Sequence, residues 1–180
     1  MTDWEHDLDA GQRAERFRHE ELALADALAS LLGREARALS LVERPRAAAL
    51  ATEFLASHHA HELHGGVTEE TWRQAQVQLA VDALHRASRN LGSRPVWLLV
   101  GLSDPHAVAL ASEIVLDNPL GFAALGDHEL RVLDCELPAG LWLLRGTHQA
   151  EAETSDCTWE LTAWGEPWAS ATTRALRGIG

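Results

Sequence analysis

The spacing of apolar residues changes near residue 95, and this change constrains the fold more than any other feature of the sequence. Before it, apolar residues recur every three to four positions, as they do along one side of a helix. After it, apolar and polar residues alternate, as they do along a strand with one buried face. The pattern predicts an α+β protein: about three N-terminal antiparallel helices in residues 1–94, packed on a mostly antiparallel β-sheet in residues 95–180.

Three helices are predicted in the first region, covering about 12–39, 45–63 and 68–92. Pro45 suits the first turn of a helix, and glycines just after residue 63 and at residue 92 are typical helix stops. Thr68 is followed by two glutamates, which would meet the positive end of the helix dipole in a first turn. Short connections favour antiparallel neighbours.

The pattern of apolar residues in the second region predicts strands. The run "VWLLVGL" at 96–102 is apolar throughout, which is typical of a strand buried on both faces. Residues 128–137 alternate and are followed by the turn "PAG" and then "LWLLRG", which indicates a hairpin. In "CTWELTAW", at 157–164, Trp159 shares a face with other apolar residues while Trp164 points the opposite way. The segment 104–117 favours a helix slightly, although its apolar residues also alternate.

Charge excludes some partners and favours others. The chain carries 27 acidic residues, 15 arginines and no lysine, for a net charge of −12. Residues 95–180 hold 12 of the acids against four arginines, which gives this half a net charge of −8. Such a surface repels nucleic-acid phosphates and favours a basic protein partner. The preference for Arg, Ala, Leu and Gly is typical of a GC-rich bacterial genome.

The compartment is predicted from what the sequence does not contain. No apolar run approaches the roughly 20 residues that span a bilayer, so we expect no membrane partner. The acidic N-terminus lacks the basic and apolar segments of a signal peptide. Two cysteines in a chain without export features indicate reduced thiols, and we expect the protein to be cytoplasmic.

The stretch "SHHAHELH" suggests a metal site as one alternative. His58, His61 and His64 follow one another at steps of three, so they share one side of the second predicted helix. Carboxylate and imidazole pairs on the other two helices offer further ligands for a divalent transition metal, in the manner of a helical-bundle enzyme: Glu15 with His19, and Asp82 with His85. The spacing matches no zinc-enzyme motif. The simpler interpretation is a histidine-rich helix end without a cofactor.

The tryptophans of the second region carry the main functional hypothesis. Exposed tryptophans are enriched at binding hot spots, and glutamates around them would steer a basic partner. The alternative is that the N-terminal helices cover this face of the sheet, which would make the tryptophans part of the core. We therefore expect a non-catalytic accessory, adaptor or inhibitor-like protein whose docking surface contains Trp142, Trp164, Trp168, Glu160 and Glu166. Alanine at Trp164 and Trp168 should then weaken partner capture without unfolding the chain. The alternatives are the metal-dependent enzyme and a small-molecule binder with a pocket between helices and sheet.

Overall fold

The computed structural model describes residues 10–33, 41–101, 105–126, 128–147 and 157–178. These residues form six α-helices and one six-stranded antiparallel sheet, and helices precede the sheet, so the predicted α+β class is confirmed. The chain divides into two compact units at residue 41.

The smaller unit contains α1 (Ala10–Leu32). Arg16 and Glu20 lie one turn apart on it, with 2.7 Å between the guanidinium Nε and a carboxylate oxygen. The helix is followed by Gly33, whose φ of 59° lies in the left-handed region that favours glycine. The predicted continuation to residue 39 falls outside the described residues.

The larger unit contains the whole sheet. In chain order its elements are α2 (Arg44–Leu63), β1 (Val67–Arg73), α3 (Val77–Leu91), β2 (Pro95–Val100), β3 (His106–Ala111), α4 (Ser112–Asp117), α5 (Pro119–Ala123), β4 (Glu129–Asp134), β5 (Gly140–Thr147), β6 (Cys157–Trp164) and α6 (Trp168–Arg177). The strands lie in the order β1–β6–β5–β4–β2–β3, with β1 and β3 at the edges. Two single 3₁₀ turns, at 74–76 and 124–126, follow β1 and α5.

Two segments differ from the prediction. The third helix begins at Val77, and residues 67–73 form a strand that pairs along its whole length with β6. This ladder pairs the backbone groups of β1 that face β6, and it outweighs the local helix-start signal at Thr68. The ambiguous segment is strand at 106–111 and helix at 112–117, so the helical interpretation is right only for its second half.

One face of the sheet packs against α2. Phe54 of α2 is completely buried, and its ring meets the ring of Trp164 edge-on at 5.0 Å between centroids. Residues from α2, β2, β3, β4 and β6 share one apolar cluster, comprising Ala47, Leu50, Phe54, Leu99, Ala107, Leu133 and Trp164. The pleat places Trp164 and Trp142 on this face and Trp159 on the other, as the alternation predicted.

The opposite face is covered by α3 and α6. These helices pack against each other and against β1 and β6, and Asn90 of α3 donates a hydrogen bond to the carbonyl of Ala171 in α6 at 3.3 Å. The short helices α4 and α5 contact α3, and α5 also packs on β4. The sheet is therefore the middle of three layers, because its two faces carry different helices.

Asp134 joins β4 to α6 on this second face. Its side chain is only 3% exposed and accepts hydrogen bonds from the Trp168 indole N–H at 2.9 Å and from the Arg94 guanidinium at 2.7 Å. Backbone N–H groups of Glu136 and Leu137 donate to its other oxygen. Burial by itself would raise the pKa of Asp134, but the hydrogen bonds from Arg94, Trp168 and Glu136 outweigh it, so the pKa lies below its ordinary value.

We predict that Asp134 makes the protein acid-sensitive. Because its pKa is lower in the folded chain than in the unfolded chain, it stabilises the fold fully above about pH 5, and this stabilisation is lost as the pH falls through the folded pKa. Asp134→Asn should cost about 1–3 kcal/mol of unfolding free energy at pH 7. Urea titrations should show the wild type losing stability more steeply than the variant below about pH 5. Parallel curves would contradict this role.

Candidate functional site

A cleft of about 550 Å³ opens where the end of α2, the start of β1 and one side of α6 meet. We call it the α2–α6 cleft, and its lining residues come from the ranges 61–68 and 165–177. These two ranges lie about 100 residues apart in the sequence and are brought together because β1 pairs with β6. A volume of this size falls in the range of small-molecule sites, roughly 300–1,000 Å³.

One wall is built by the end of α2. The Gly66 N–H donates to the His61 carbonyl at 3.0 Å, and the Gly65 N–H donates to the Glu62 carbonyl at 3.4 Å. This is the double hydrogen bond of a Schellman helix end, and Gly65 has the φ of 70° that the motif requires. The motif turns the chain directly into β1, so that His61 and Thr68 both line the cleft.

The other wall is built by the connection from β6 to α6. Gly165 has a φ of 69°, and a Cβ atom there would lie 2.6 Å from the Cβ atom of Ala139, so this position accepts only glycine. Glu166 follows directly, and the polar lining residues of α6 recur at steps of three and four, which places them on one side of the helix: Ser170, Thr173, Arg174 and Arg177.

Hydrogen bonds hold several of these side chains. The Thr68 hydroxyl donates to the Ala169 carbonyl at 3.3 Å and lies 2.8 Å from the Thr173 hydroxyl, which therefore donates to it. The Ser170 hydroxyl donates to a Glu166 carboxylate oxygen. The His61 Nδ1–H donates to the Ser57 carbonyl at 2.9 Å, so in the neutral ring Nε2 is the acceptor.

The charges of the cleft are separated along α6. Glu166 lies before the first turn of the helix, whereas Arg174 and Arg177 lie in its last turn. Within the described residues, neither guanidinium makes a hydrogen bond or an ion pair. The cleft therefore offers a carboxylate at one end, two unengaged guanidinia at the other, and hydroxyl groups between them.

Two of the three tryptophans of the predicted docking surface lie inside the molecule. Trp164 and Trp168 are each 0% exposed, and their indole N–H groups donate to Ser57 Oγ and to Asp134, both at 2.9 Å. Trp142 is half-buried, with the rings of Phe54 and His58 each at 5.6 Å. The exposure of Trp164 and Trp168 was predicted wrongly, because α2 covers the face of the sheet that carries Trp164, and the indole of Trp168 packs between α6 and the sheet, where it meets Asp134.

The predicted glutamates have different positions. Glu160 lies on β6 and is half-buried, whereas Glu166 is exposed and lines the α2–α6 cleft. His61, proposed from the sequence as a metal ligand, also lines this cleft, and sequence reasoning missed the rest of its polar lining. A signal was present in the sequence, because Arg174 and Arg177 are three residues apart and are the only charged residues after Glu166.

The side chains predicted as metal ligands do not converge on one site, and several of them make separate contacts. The ring of His58 packs on Trp164, Asp82 accepts a hydrogen bond from Gln78, and the His85 ring N–H donates to the Asp117 carbonyl at 3.0 Å. His64 is exposed at the end of α2, and Glu15 and His19 are exposed on α1. Among the described residues, no three His, Cys, Asp or Glu side chains lie close enough together to hold a metal ion.

Comparisons with protein-family models, with curated proteins and with solved structures each found no match. Across the part of the chain that the structure describes, no helix combines the length and the apolar character needed to cross a bilayer. The fold and the cleft thus define an α+β protein with a polar cleft beside the edge strand β1.

We predict that Trp164→Ala destabilises the fold rather than removing a docking anchor. The substitution empties a fully buried site and leaves Ser57 without its indole partner, so it should cost about 3–5 kcal/mol of unfolding free energy. Urea denaturation followed by circular dichroism measures this loss. A variant as stable as the wild type would contradict the burial of Trp164.

Proposed function

We propose that this protein binds a small polar molecule in the α2–α6 cleft and that it acts by binding rather than by catalysis. The observation that supports this proposal best is the cleft itself, whose polar side chains come from α2, β1 and α6. Ligand sites are concave, and a small number of converging polar groups fixes the orientation of the ligand. Each wall contains a turn that depends on a glycine with positive φ, Gly65 in one and Gly165 in the other. The backbone conformation of these turns therefore sets the position of both walls.

The properties of the thiols agree with a binding role. Burial raises the pKa of Cys135 to about 11, with smaller contributions from the carboxylates of Asp134 and Glu136. A thiol with that pKa stays protonated near pH 7 and is a poor nucleophile. Cys135 and Cys157 both carry free thiols, the state that a reducing compartment maintains, and we place the function in the cytoplasm.

Blocking the cleft tests the proposal. Ala169 is a half-buried lining residue, and Ala169→Trp would fill the space beside it. A thermal-shift screen of polar metabolites should find a compound that raises the melting temperature of the wild type by about 4 °C at ten times its Kd. The same compound should leave Ala169→Trp unchanged.

The matched control is Ala48→Trp, which makes the same substitution at an exposed position of α2 outside the cleft. This variant should respond to the compound as the wild type does. The proposal fails if no compound stabilises the wild type, or if a compound that does so stabilises Ala169→Trp equally.

A second candidate function keeps the protein partner predicted from the sequence, but with a different surface. Leu55 and Leu63 lie on the outward side of α2 and are 52% and 69% exposed. The acidic residues Glu53 and Glu62 are their exposed neighbours, so this surface suits a basic protein with an apolar patch. In this function the protein would be the accessory or adaptor component of a complex.

Substituting both leucines by serine tests the second candidate. We expect the double variant to keep the unfolding free energy of the wild type within about 0.5 kcal/mol, because both side chains are exposed. Pull-down from the native organism should recover a basic protein with the wild type, less of it in 0.5 M salt, and none with the double variant. Equal recovery by both proteins would contradict this surface.

A further inference from the structure

We infer that the ligand of the α2–α6 cleft carries an anionic group, a carboxylate or a phosphate, and that Arg174 and Arg177 hold this group. The inference rests on the proposed function, since it names the chemical class of the molecule that the cleft takes. It also assigns an orientation, because the anionic group points away from Glu166.

The distribution of arginines supports this assignment. Residues 95–180 contain 12 acids and only four arginines. Arg131 is buried, with its guanidinium donating to the Gly101 carbonyl, and Arg145 is half-buried with Nη2 3.5 Å from Cys157 Sγ. The other two both line the α2–α6 cleft and are exposed. Within this acidic half of the sequence, the two exposed guanidinia therefore both lie at the α2–α6 cleft, where they favour an anionic group.

Several other hydrogen-bond donors of the cleft are already engaged. The N–H groups of Gly65 and Gly66 are already used by carbonyls of α2. The hydroxyl protons of Thr68 and Thr173 are used within the cleft, and that of Ser170 is used by Glu166. Two guanidinia one helical turn apart present several unengaged N–H donors, and their planar geometry matches carboxylate and phosphate oxygens.

Glu166 limits the charge that the ligand carries. Ser170, which holds the Glu166 carboxylate, lies four and seven residues before the two arginines, and this corresponds to about 6 and 10 Å along the helix axis. A second anionic group at that end would meet the carboxylate. The cleft thus favours a molecule with one anionic group at the arginine end and a neutral or cationic group near Glu166.

The helix dipole gives a competing explanation of the same charges. An acid before the first turn and arginines in the last turn of α6 stabilise any helix, without a ligand. The two explanations differ in one respect, because only a binding site changes its affinity for anions when these side chains are replaced.

An NMR titration separates the two explanations, with the amide signals of Thr68, Ser170 and Thr173 as the site-specific readout. The probes are 6-aminohexanoate as a carboxylate, glycerol 1-phosphate as a phosphate, and glycerol as the neutral comparison. We expect at least one anionic probe to shift these signals more strongly than glycerol does, and the better of the two identifies the chemical source of the anion.

Three variants show whether each charged side chain of the cleft strengthens or weakens the binding of the anion. Arg174→Ala and Arg177→Ala should each weaken anion binding about tenfold, whereas Glu166→Gln should tighten it a few-fold and keep an acceptor for Ser170. Arg46→Ala is the matched control, because it removes one positive charge from an exposed position about 22 Å from His61 along α2, and it should change the Kd less than twofold.

The outcomes also separate the inference from the proposed function. If glycerol or another neutral polar compound binds in the cleft and the arginine variants bind it unchanged, the anionic class is wrong and the proposed function stands. If no probe and no compound of the thermal-shift screen shifts the cleft signals, both fail, and the charges serve the helix alone.

Discussion

The indole of Trp164 lies between α2 and the sheet, and the position of α2 depends on it. Its ring is fully buried, meets the rings of Phe54 and His58 edge-on at 5.0 Å, and donates its N–H to Ser57 Oγ. A buried indole contributes a large apolar area, and its single polar atom has a partner here. Because Phe54, Ser57 and His58 belong to the last three turns of α2, this contact also places the helix end that forms one wall of the cleft.

The second wall depends on a contact of the same kind across the sheet. Trp168 follows Trp164 by four residues, yet its indole lies on the α6 side and donates to the buried carboxylate of Asp134. The connection at 165–167 is therefore held at both ends by buried indoles. A wall fixed in this way loses little conformational freedom when a ligand binds, which favours affinity in a shallow polar cleft.

Much of the fold was predictable because it follows from local patterns. A proline at its start and two glycines after its end predicted the helix at 45–63. Alternation of apolar and polar residues predicted the hairpin of β4 and β5 and the two faces of β6. Strand β1 was not predictable from the same kind of signal. Its sequence "VTEETWR" resembles a helix start, and only its pairing with β6, about 90 residues later, makes it a strand.

The functional residues were also predictable only where a local pattern determines their position. Alternation assigned Trp142 and Trp164 to the correct face, but it does not show whether a helix covers that face. The α2–α6 cleft joins residues 61–68 to residues 165–177 through one strand pair, so neither stretch reveals it alone. Sequence reasoning found Glu166, and it missed Thr68, Ser170 and the paired arginines, because their shared location depends on long-range contacts.

Hydrogen exchange at the indole nitrogens tests most directly whether these tryptophans hold the structure together. The measurement follows the Nε1–H signals of Trp164 and Trp168 by NMR after transfer into D₂O. If both rings are internal and hydrogen-bonded, their exchange should be at least about 10³-fold slower than that of free tryptophan and should require opening of the fold. Exchange at the rate of free tryptophan would show that the rings are accessible, and would contradict this account of the sheet, of α2 and of the cleft.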